Sequence, residues 1–306
     1  MQLNQGNLPA VIAGLLAGVG FGIFWMPLRA IGDAGLAAVW AGSLIVLIPA
    51  LCCLPVAWVN RHHYVTRGRG LLGGAMTGLA LALYSSAFLY TEVIRVVLLF
   101  YLMPIWGFVL GRFLLGEPVT WYRWLAVLSG LTGMIIIFSG GGGLPLPRNL
   151  GDWLALVSGM AWAMGSTFML LDKPPRPAFH MVQFFGVAAL LCTAVALLAS
   201  VSGQADWPNA TDLSAVLIWL VPLSALFLLP VGYATVFAPT RLNPGVVGLL
   251  FMFEVAVAAI TAAIWAGEAI SAREWTGLVL VMGAGLIEPF MIIRQIRASE
   301  QTGASV

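Results

Sequence analysis

Long apolar stretches alternate with short polar turns along the whole chain. Cut at charged residues, prolines and glycine runs, the sequence divides into ten stretches, each close to the roughly 20 residues that a helix needs to cross a bilayer core. Runs of this length differ from the short alternating segments of a transmembrane barrel and predict a polytopic helical membrane protein. The predicted spans are 8–28, 34–59, 70–90, 95–115, 120–139, 150–171, 179–201, 213–237, 245–266 and 275–294.

Composition supports this interpretation and excludes several classes of protein. Of 306 residues, 61% are hydrophobic and 8% are charged, whereas a soluble domain carries about 25% charged residues. The basic residues form no dense tract, so a nucleic-acid partner is not expected. Cys52, Cys53 and Cys192 lie in apolar runs without metal-ligand spacing, which predicts neither a metal site nor a disulfide framework.

The distribution of basic residues predicts the orientation. With the N-terminus in the cytoplasm, ten basic residues fall on the inside and four on the outside, which is the bias of the positive-inside rule. Both termini are therefore predicted to be cytoplasmic. The four outside residues are Arg29, Arg95, Arg148 and Arg273.

A short motif occurs twice at one offset. The sequence GEPVT at 116–120 is followed by Trp124, and GEAIS at 267–271 is followed by Trp275, so the copies are 151 residues apart. Glu117 and Glu268 would each begin a helix, where a carboxylate complements the positive helix end. As related turns, they are also candidates for packing against the opposite half.

This repeat predicts two halves, 1–143 and 144–306, joined by the glycine- and proline-rich stretch 140–147. Each half would hold five spans. Because five is odd, the second copy would be inverted in the membrane relative to the first. Inverted repeats are a known plan of secondary transporters, whose solute site lies near the bilayer midplane between the halves.

With these two Gly-Glu turns, their downstream tryptophans and a small-residue first helix in each half, the sequence resembles the drug/metabolite transporter superfamily, in its EamA-type branch. Within that branch it looks most like the YddG-type exporters of aromatic and other neutral amino acids. The resemblance implies an all-α integral membrane protein of the bacterial inner (plasma) membrane, with ten transmembrane helices as two inverted five-helix repeats. It also implies alternating access, a small-molecule substrate, and a central cavity between spans 1, 3, 4, 6, 8 and 9.

Glu254 is the sharpest single candidate for a transport residue. It lies near the middle of the ninth predicted span, where an acidic side chain costs about 2.5–3.5 kcal/mol on insertion scales. Such a group is a candidate proton carrier or a partner for the ammonium group of a solute. The alternative is a hydrogen-bonded carboxyl that only holds helices together.

Four aromatic residues with polar atoms lie at mid-span: Tyr84, Tyr101, Trp162 and Tyr233. In hydrocarbon each OH or NH group requires a partner, so these side chains are candidates for lining a binding cavity. Ordinary helix packing is the alternative for each. Together with Glu254, they form the predicted substrate-binding set.

The remaining chemistry narrows the function. The sequence contains no nucleotide-binding P-loop, no metal motif and no plausible nucleophile–base pair within the spans. We therefore expect no cofactor and no catalysis, and a neutral or zwitterionic solute. A broad exporter of drugs or lipophilic metabolites is the first alternative; an intramembrane enzyme or a receptor for a lipid-like ligand is a remoter one, and a passive channel a third. The sequence does not predict the oligomeric state.

Overall fold

The computed structural model describes residues 8–59, 61, 68–91, 93–118, 120–138, 147–265 and 271–303, and over these ranges it contains helices and no strand. The helices are α1 (Leu8–Ile23), α2 (Trp25–Asp33), α3 (Ala38–Cys52), α4 (Leu54–Val59), α5 (Gly68–Ala87), α6 (Val93–Phe100), α7 (Met103–Leu114), α8 (Trp121–Phe138), α9 (Leu150–Leu171), α10 (Pro177–Val201), α11 (Ala210–Leu223), α12 (Leu229–Phe237), α13 (Pro244–Phe251), α14 (Phe253–Trp265) and α15 (Ala272–Gly303).

Each of the ten predicted ranges is covered by one helix or by two consecutive helices. Within the described ranges, 7 helical runs are long and apolar enough to cross a membrane, and α3 and α8 are shorter apolar helices. The protein is therefore a multi-pass membrane protein built from helices. The connector at 140–146 and the second Gly-Glu turn at 267–270 lie outside the described residues.

Several of the long helical runs are broken near their middle. Tyr101 and Leu102 separate α6 from α7, and Met252 separates α13 from α14. Pro104 follows the first break, and because proline has no amide hydrogen it cannot continue the bonding of the preceding turn. Between α11 and α12 the chain forms a π-helical turn, Ser224–Leu228, next to Pro222. Prolines are a common cause of such irregular turns.

Many helix contacts join the two halves of the chain. Among them, α3 packs on α10, α7 packs on α13, and α8 packs on α15. The first helix of the first half, α1, packs on α12, α13 and α14, while α9 of the second half packs on α5, α6 and α7. The helices therefore exchange contacts across the midpoint of the chain rather than forming two separate bundles.

A stripe of glycines on α1 allows close approach to the broken helix α13–α14. A Cβ atom added to Gly18 would lie 3.1 Å from the carbonyl oxygen of Leu250, and one added to Gly22 would lie 2.9 Å from the carbonyl oxygen of Glu254. Small residues at this spacing let helix backbones meet in a membrane. The stripe holds α1 against the backbone that carries Glu254.

Ion pairs lie near both ends of the bundle. Near the start of α9, the buried carboxylate of Asp152 accepts hydrogen bonds from the Arg95 guanidinium at 3.0 Å and from the Thr91 hydroxyl at 2.8 Å. After the end of α9, Asp172 pairs with Arg176 at 3.0 Å. These contacts join helices that are distant in sequence at one end and close the α9–α10 turn at the other.

Candidate functional site

The two central helix breaks meet, and each supplies half of a polar pair. Tyr101 lies in the break between α6 and α7, and Glu254 lies in the first turn of α14, just after the break at Met252. The hydroxyl oxygen of Tyr101 is 2.7 Å from Oε2 of Glu254. Tyr101 is fully buried, so this contact lies within the packed bundle and joins the first half of the chain to the second.

The Tyr101 hydroxyl also faces the backbone of the second break. Its oxygen is 3.0 Å from the carbonyl oxygen of Phe251. At this break the amide of Val255 donates to the carbonyl of Met252, three residues back, at 3.1 Å. The tighter turn leaves the Phe251 carbonyl available to the tyrosine hydroxyl.

The two contacts of the Tyr101 hydroxyl allow the Glu254 carboxyl group to be either ionised or protonated. A tyrosine hydroxyl carries one proton but can also accept hydrogen bonds. When Glu254 is ionised, Tyr101 donates to the carboxylate. When Glu254 is protonated, its own proton can be donated to the tyrosine oxygen while Tyr101 donates to the Phe251 carbonyl. The arrangement therefore accommodates either charge state of Glu254 without leaving the hydroxyl unpaired.

Aromatic rings surround this pair. The ring of Phe100 lies 5.3 Å from that of Tyr101 and 4.6 Å from that of Tyr84. On the other side, Trp162 of α9 lies 5.4 Å from Phe251. Tyr84, Tyr101, Trp162 and Glu254 therefore belong to one connected group of side chains, in which Phe100 and Phe251 supply the links.

Two polar atoms in this region have no partner. The indole nitrogen of Trp162 and the hydroxyl of Ser166 are buried and make no hydrogen bond to any described residue. They are four residues apart on α9 and therefore on the same face of the helix. In contrast, Ser158 and Thr167 donate to carbonyls of their own helix, at 2.9 and 2.8 Å. Because buried polar groups are normally paired, Trp162 and Ser166 are candidates for contact with a polar solute.

Tyr233 is separated from this group. Its side chain is 40% exposed on α12, where its ring stacks on Phe237 at 5.8 Å. It lines a groove between α1 and α12 on the outside of the bundle. The structure thus brings four of the five predicted substrate-binding residues together and leaves Tyr233 apart.

At one side of the Tyr101–Glu254 pair, α7 and α13 pack with their backbones in direct contact. A Cβ atom added to Gly107 would lie 2.7 Å from Cα of Gly245. At the same end, the side-chain amide of Asn243 donates to Glu117 at 2.7 Å. Glu117 of the first Gly-Glu turn therefore contacts the second half of the chain.

The sequence did not indicate Ser166, Phe251 or Asn243 as individual participants. Ser166 is one of several similar hydroxyl residues, and only its missing partner separates it from Ser158 and Thr167. Phe251 contributes its carbonyl, which depends on the helix break and not on its side chain. Among the described residues, no cluster of three or more His, Cys, Asp or Glu side chains is arranged to hold a metal ion.

Comparison with known families assigns the first part of the chain. Residues 8–139 match the EamA-like transporter family. Over this part, which is less than half of the chain, the protein is similar to small-molecule transporters of the drug/metabolite transporter superfamily, a family of transporters and not of enzymes. The match covers all the elements from α1 to α8, including Tyr84 and Tyr101.

The fold extends beyond the EamA-like domain. A solved structure, titled only "Crystal structure of protein", superposes with a TM-score of 0.70 over 94% of this chain and 98% of that chain, at 17% sequence identity. At this identity the likeness concerns the fold alone. A search of curated proteins gave no match.

Proposed function

We propose that this protein is a secondary transporter with ten membrane spans in two inverted five-span repeats, which exports neutral or aromatic amino acids or similar small metabolites by alternating access. The observation that carries this proposal is the Tyr101–Glu254 pair at the junction of two broken helices, one from each half. Discontinuous helices at the interface of inverted repeats are where secondary transporters bind their solutes.

The inverted repeat is supported by contacts between residues that are equivalent, or one position from equivalent, at the offset of 151. Ser129 donates to the carbonyl of its equivalent Leu280, 151 residues away. Ser43 contacts Thr193 and Tyr101 contacts Phe251, each pair 150 residues apart, so each contact lies one position from the true equivalent. Residues that contact their near-equivalents lie close to the axis that relates the two copies, so these three contacts support a twofold axis in the bundle.

Recognition of an amino acid follows from the chemistry of the group. The rings of Tyr84 and Trp162 offer apolar and π surface to an uncharged side chain, in the geometries that aromatic pairs prefer. The Glu254 carboxylate and the free carbonyl at the break offer acceptors for an ammonium group. Trp162 Nε1 and the Ser166 hydroxyl offer donors for a carboxylate. An amino-acid zwitterion with an apolar side chain can use all three features: the aromatic surface, the acceptors and the donors.

The two broken helices contact each other on one side of their breaks. There α7 packs on α13, and the same end, which is the predicted cytoplasmic end, carries the contact of Glu117 with Asn243. At the opposite end the halves are joined by other residues, because Asp152 accepts from Arg95 and Thr91. We infer that Gly107 and Gly245 form the cytoplasmic gate of the alternating-access cycle.

The proposal is tested by transport into proteoliposomes. Uptake of labelled phenylalanine, threonine and a neutral lipophilic drug is measured with and without a pH gradient, against liposomes that lack the protein. Saturable amino-acid flux is expected. Drug flux without amino-acid flux would select the broad-exporter alternative, and non-saturating flux would favour a channel.

A pair of tryptophans on one helix tests the site. Trp162→Ala removes a ring from the central group and should reduce phenylalanine flux by about two- to tenfold, since aromatic contacts contribute about 0.5–1.5 kcal/mol beyond area burial. Trp153→Ala is the matched control, because Trp153 is also on α9 but is 54% exposed. Equal effects of the two substitutions on flux, at equal amounts of folded protein, would contradict the proposed site.

A further inference from the structure

An apolar groove of about 470 Å³ lies between α1 and α12, on the outside of the bundle and apart from the Tyr101–Glu254 pair. One wall is formed by α1, where Leu8, Ile12 and Leu16 are exposed at one-turn intervals, and the other by Tyr233 and Phe237 of α12. In a bilayer this surface contacts acyl chains. The groove is therefore apolar and lipid-facing, as a binding site for a lipid acyl chain must be.

A cation, Arg241, follows the α12 wall of the groove, directly after the short turn Ala238–Thr240, which packs on α1. Tyr233, Phe237 and Arg241 follow each other at intervals of four residues, and the Arg241 guanidinium lies 4.6 Å from the centre of the Phe237 ring. The Nε atom of Arg241 is buried and has no hydrogen-bond partner among the described residues. The described ion pairs also provide no carboxylate for it.

A second basic residue adds to the positive charge here. The ammonium group of Lys173 lies 3.4 Å from the carbonyl oxygen of Thr240, the residue before Arg241. Positive charge next to a lipid-facing groove at the predicted cytoplasmic end is the arrangement that attracts anionic headgroups. Each such residue contributes about 1 kcal/mol near a membrane surface, which is roughly fivefold in affinity.

We propose that the groove binds one anionic glycerophospholipid, with its phosphate on Arg241 and one acyl chain along Phe237, Tyr233 and the exposed residues of α1. The planar guanidinium suits a phosphate because it presents several donors in a fixed geometry. The role of Tyr233 is then to support the lipid chain. The site depends on the membrane environment and not on which solute is transported, so the flux experiments above leave it unaffected.

The test uses the full-length protein purified in a neutral detergent. Dioleoyl phosphatidylglycerol and dioleoyl phosphatidylcholine, which differ only in headgroup, are titrated separately, and retained lipid is counted by native mass spectrometry. The expected result is one retained lipid with roughly a fivefold preference for the anionic headgroup. Equal retention of the two lipids would overturn the proposal, as would displacement of the lipid by inorganic phosphate at the same concentration.

Variants separate the headgroup contact from the chain contact. Arg241→Gln should abolish the preference and Arg241→Lys should retain it, whereas Arg112→Gln, which removes an exposed cation from the last turn of α7, should leave it unchanged. Ala13→Trp, which fills the groove, should abolish retention of both lipids. A preference that survives Arg241→Gln, or retention that survives Ala13→Trp, would contradict the assignment.

Discussion

Replacing Tyr101 with phenylalanine removes only the hydroxyl from the junction of the two broken helices. That hydroxyl is fully buried and faces two acceptors, Glu254 Oε2 at 2.7 Å and the Phe251 carbonyl at 3.0 Å. Hydrogen bonds between membrane helices contribute about 0.6 kcal/mol on average and at most about 1.7. Because one acceptor is a carboxyl group, we expect a value near the upper end, about 1.4 kcal/mol, or about tenfold in the unfolding equilibrium.

Equilibrium unfolding in mixed micelles measures this change. Tyr90→Phe is the control, since Tyr90 is 55% exposed in the turn after α5 and should change the unfolding free energy by less than about 0.5 kcal/mol. The same substitution is then made in a Glu254→Gln background. Because a charge-assisted hydrogen bond is roughly twice as strong as a neutral one, Tyr101→Phe should cost about half as much there.

The double-mutant cycle decides whether the pair acts as a unit. Independent sites give additive changes within about 0.3–0.5 kcal/mol. If Tyr101→Phe costs less than about 0.5 kcal/mol in both backgrounds, the hydrogen bond between Tyr101 and Glu254 does not exist in the folded protein. The reasoning about the central site would then be refuted at its starting point, whatever the flux measurements give. Equal but larger costs would contradict only the ionised form of Glu254.

Two further substitutions test the packing and the ion pair. Gly107→Ala places a methyl group against the backbone of Gly245 and should cost about 1–3 kcal/mol of unfolding free energy. Gly186→Ala is the control, because no atom lies near the added carbon, and it should be neutral or stabilising. Equal effects of the two substitutions in the same micelle assay would contradict the close approach of α7 and α13. Asp152→Asn leaves the partly buried Arg95 without its carboxylate and should cost about 3–5 kcal/mol, read as a lower unfolding midpoint, and a loss below about 1 kcal/mol would show that the pair is solvated.

The hydrophobic pattern was sufficient to locate the helices. The predicted span 150–171 coincides with α9, and the other predicted ranges differ from helix ends mostly by a few residues. The largest difference within the first half is at Asp33, where the helical run continues five residues past the predicted end at 28. The prediction ended this span before the charged residues Arg29 and Asp33. The helix continues through both residues, because its last turn can lie at the membrane surface, where charged side chains contact water.

The breaks inside the spans were only partly predictable. Pro104 and Pro222 lie next to irregular turns, as their missing amide hydrogens require. At Met252 no proline is present; the flanking helices α13 and α14 both pack on α1, and the Phe251 carbonyl accepts from Tyr101. The free carbonyl of Phe251 at this break therefore has no sequence signal.

The residues of the candidate site were also predictable only in part. Glu254 was identifiable because an acidic residue at membrane depth is costly, and this holds whatever its neighbours are. The aromatic residues were not separable in this way, because Tyr84, Tyr101, Trp162 and Tyr233 share composition and depth. Tyr233 lies on the outer groove while the other three join the central group.

By itself, the sequence determined that the chain is a bundle of apolar helices, approximately where its apolar spans lie, and that an acidic residue lies within one of them. These properties depend on hydrophobicity summed along the chain, which the bilayer thickness converts into helix length. Only the tertiary structure decided which side chains face each other. Lipid tails are as apolar as the interior of the bundle, so a membrane helix can be hydrophobic all round, and its inward face is decided by packing against its neighbours.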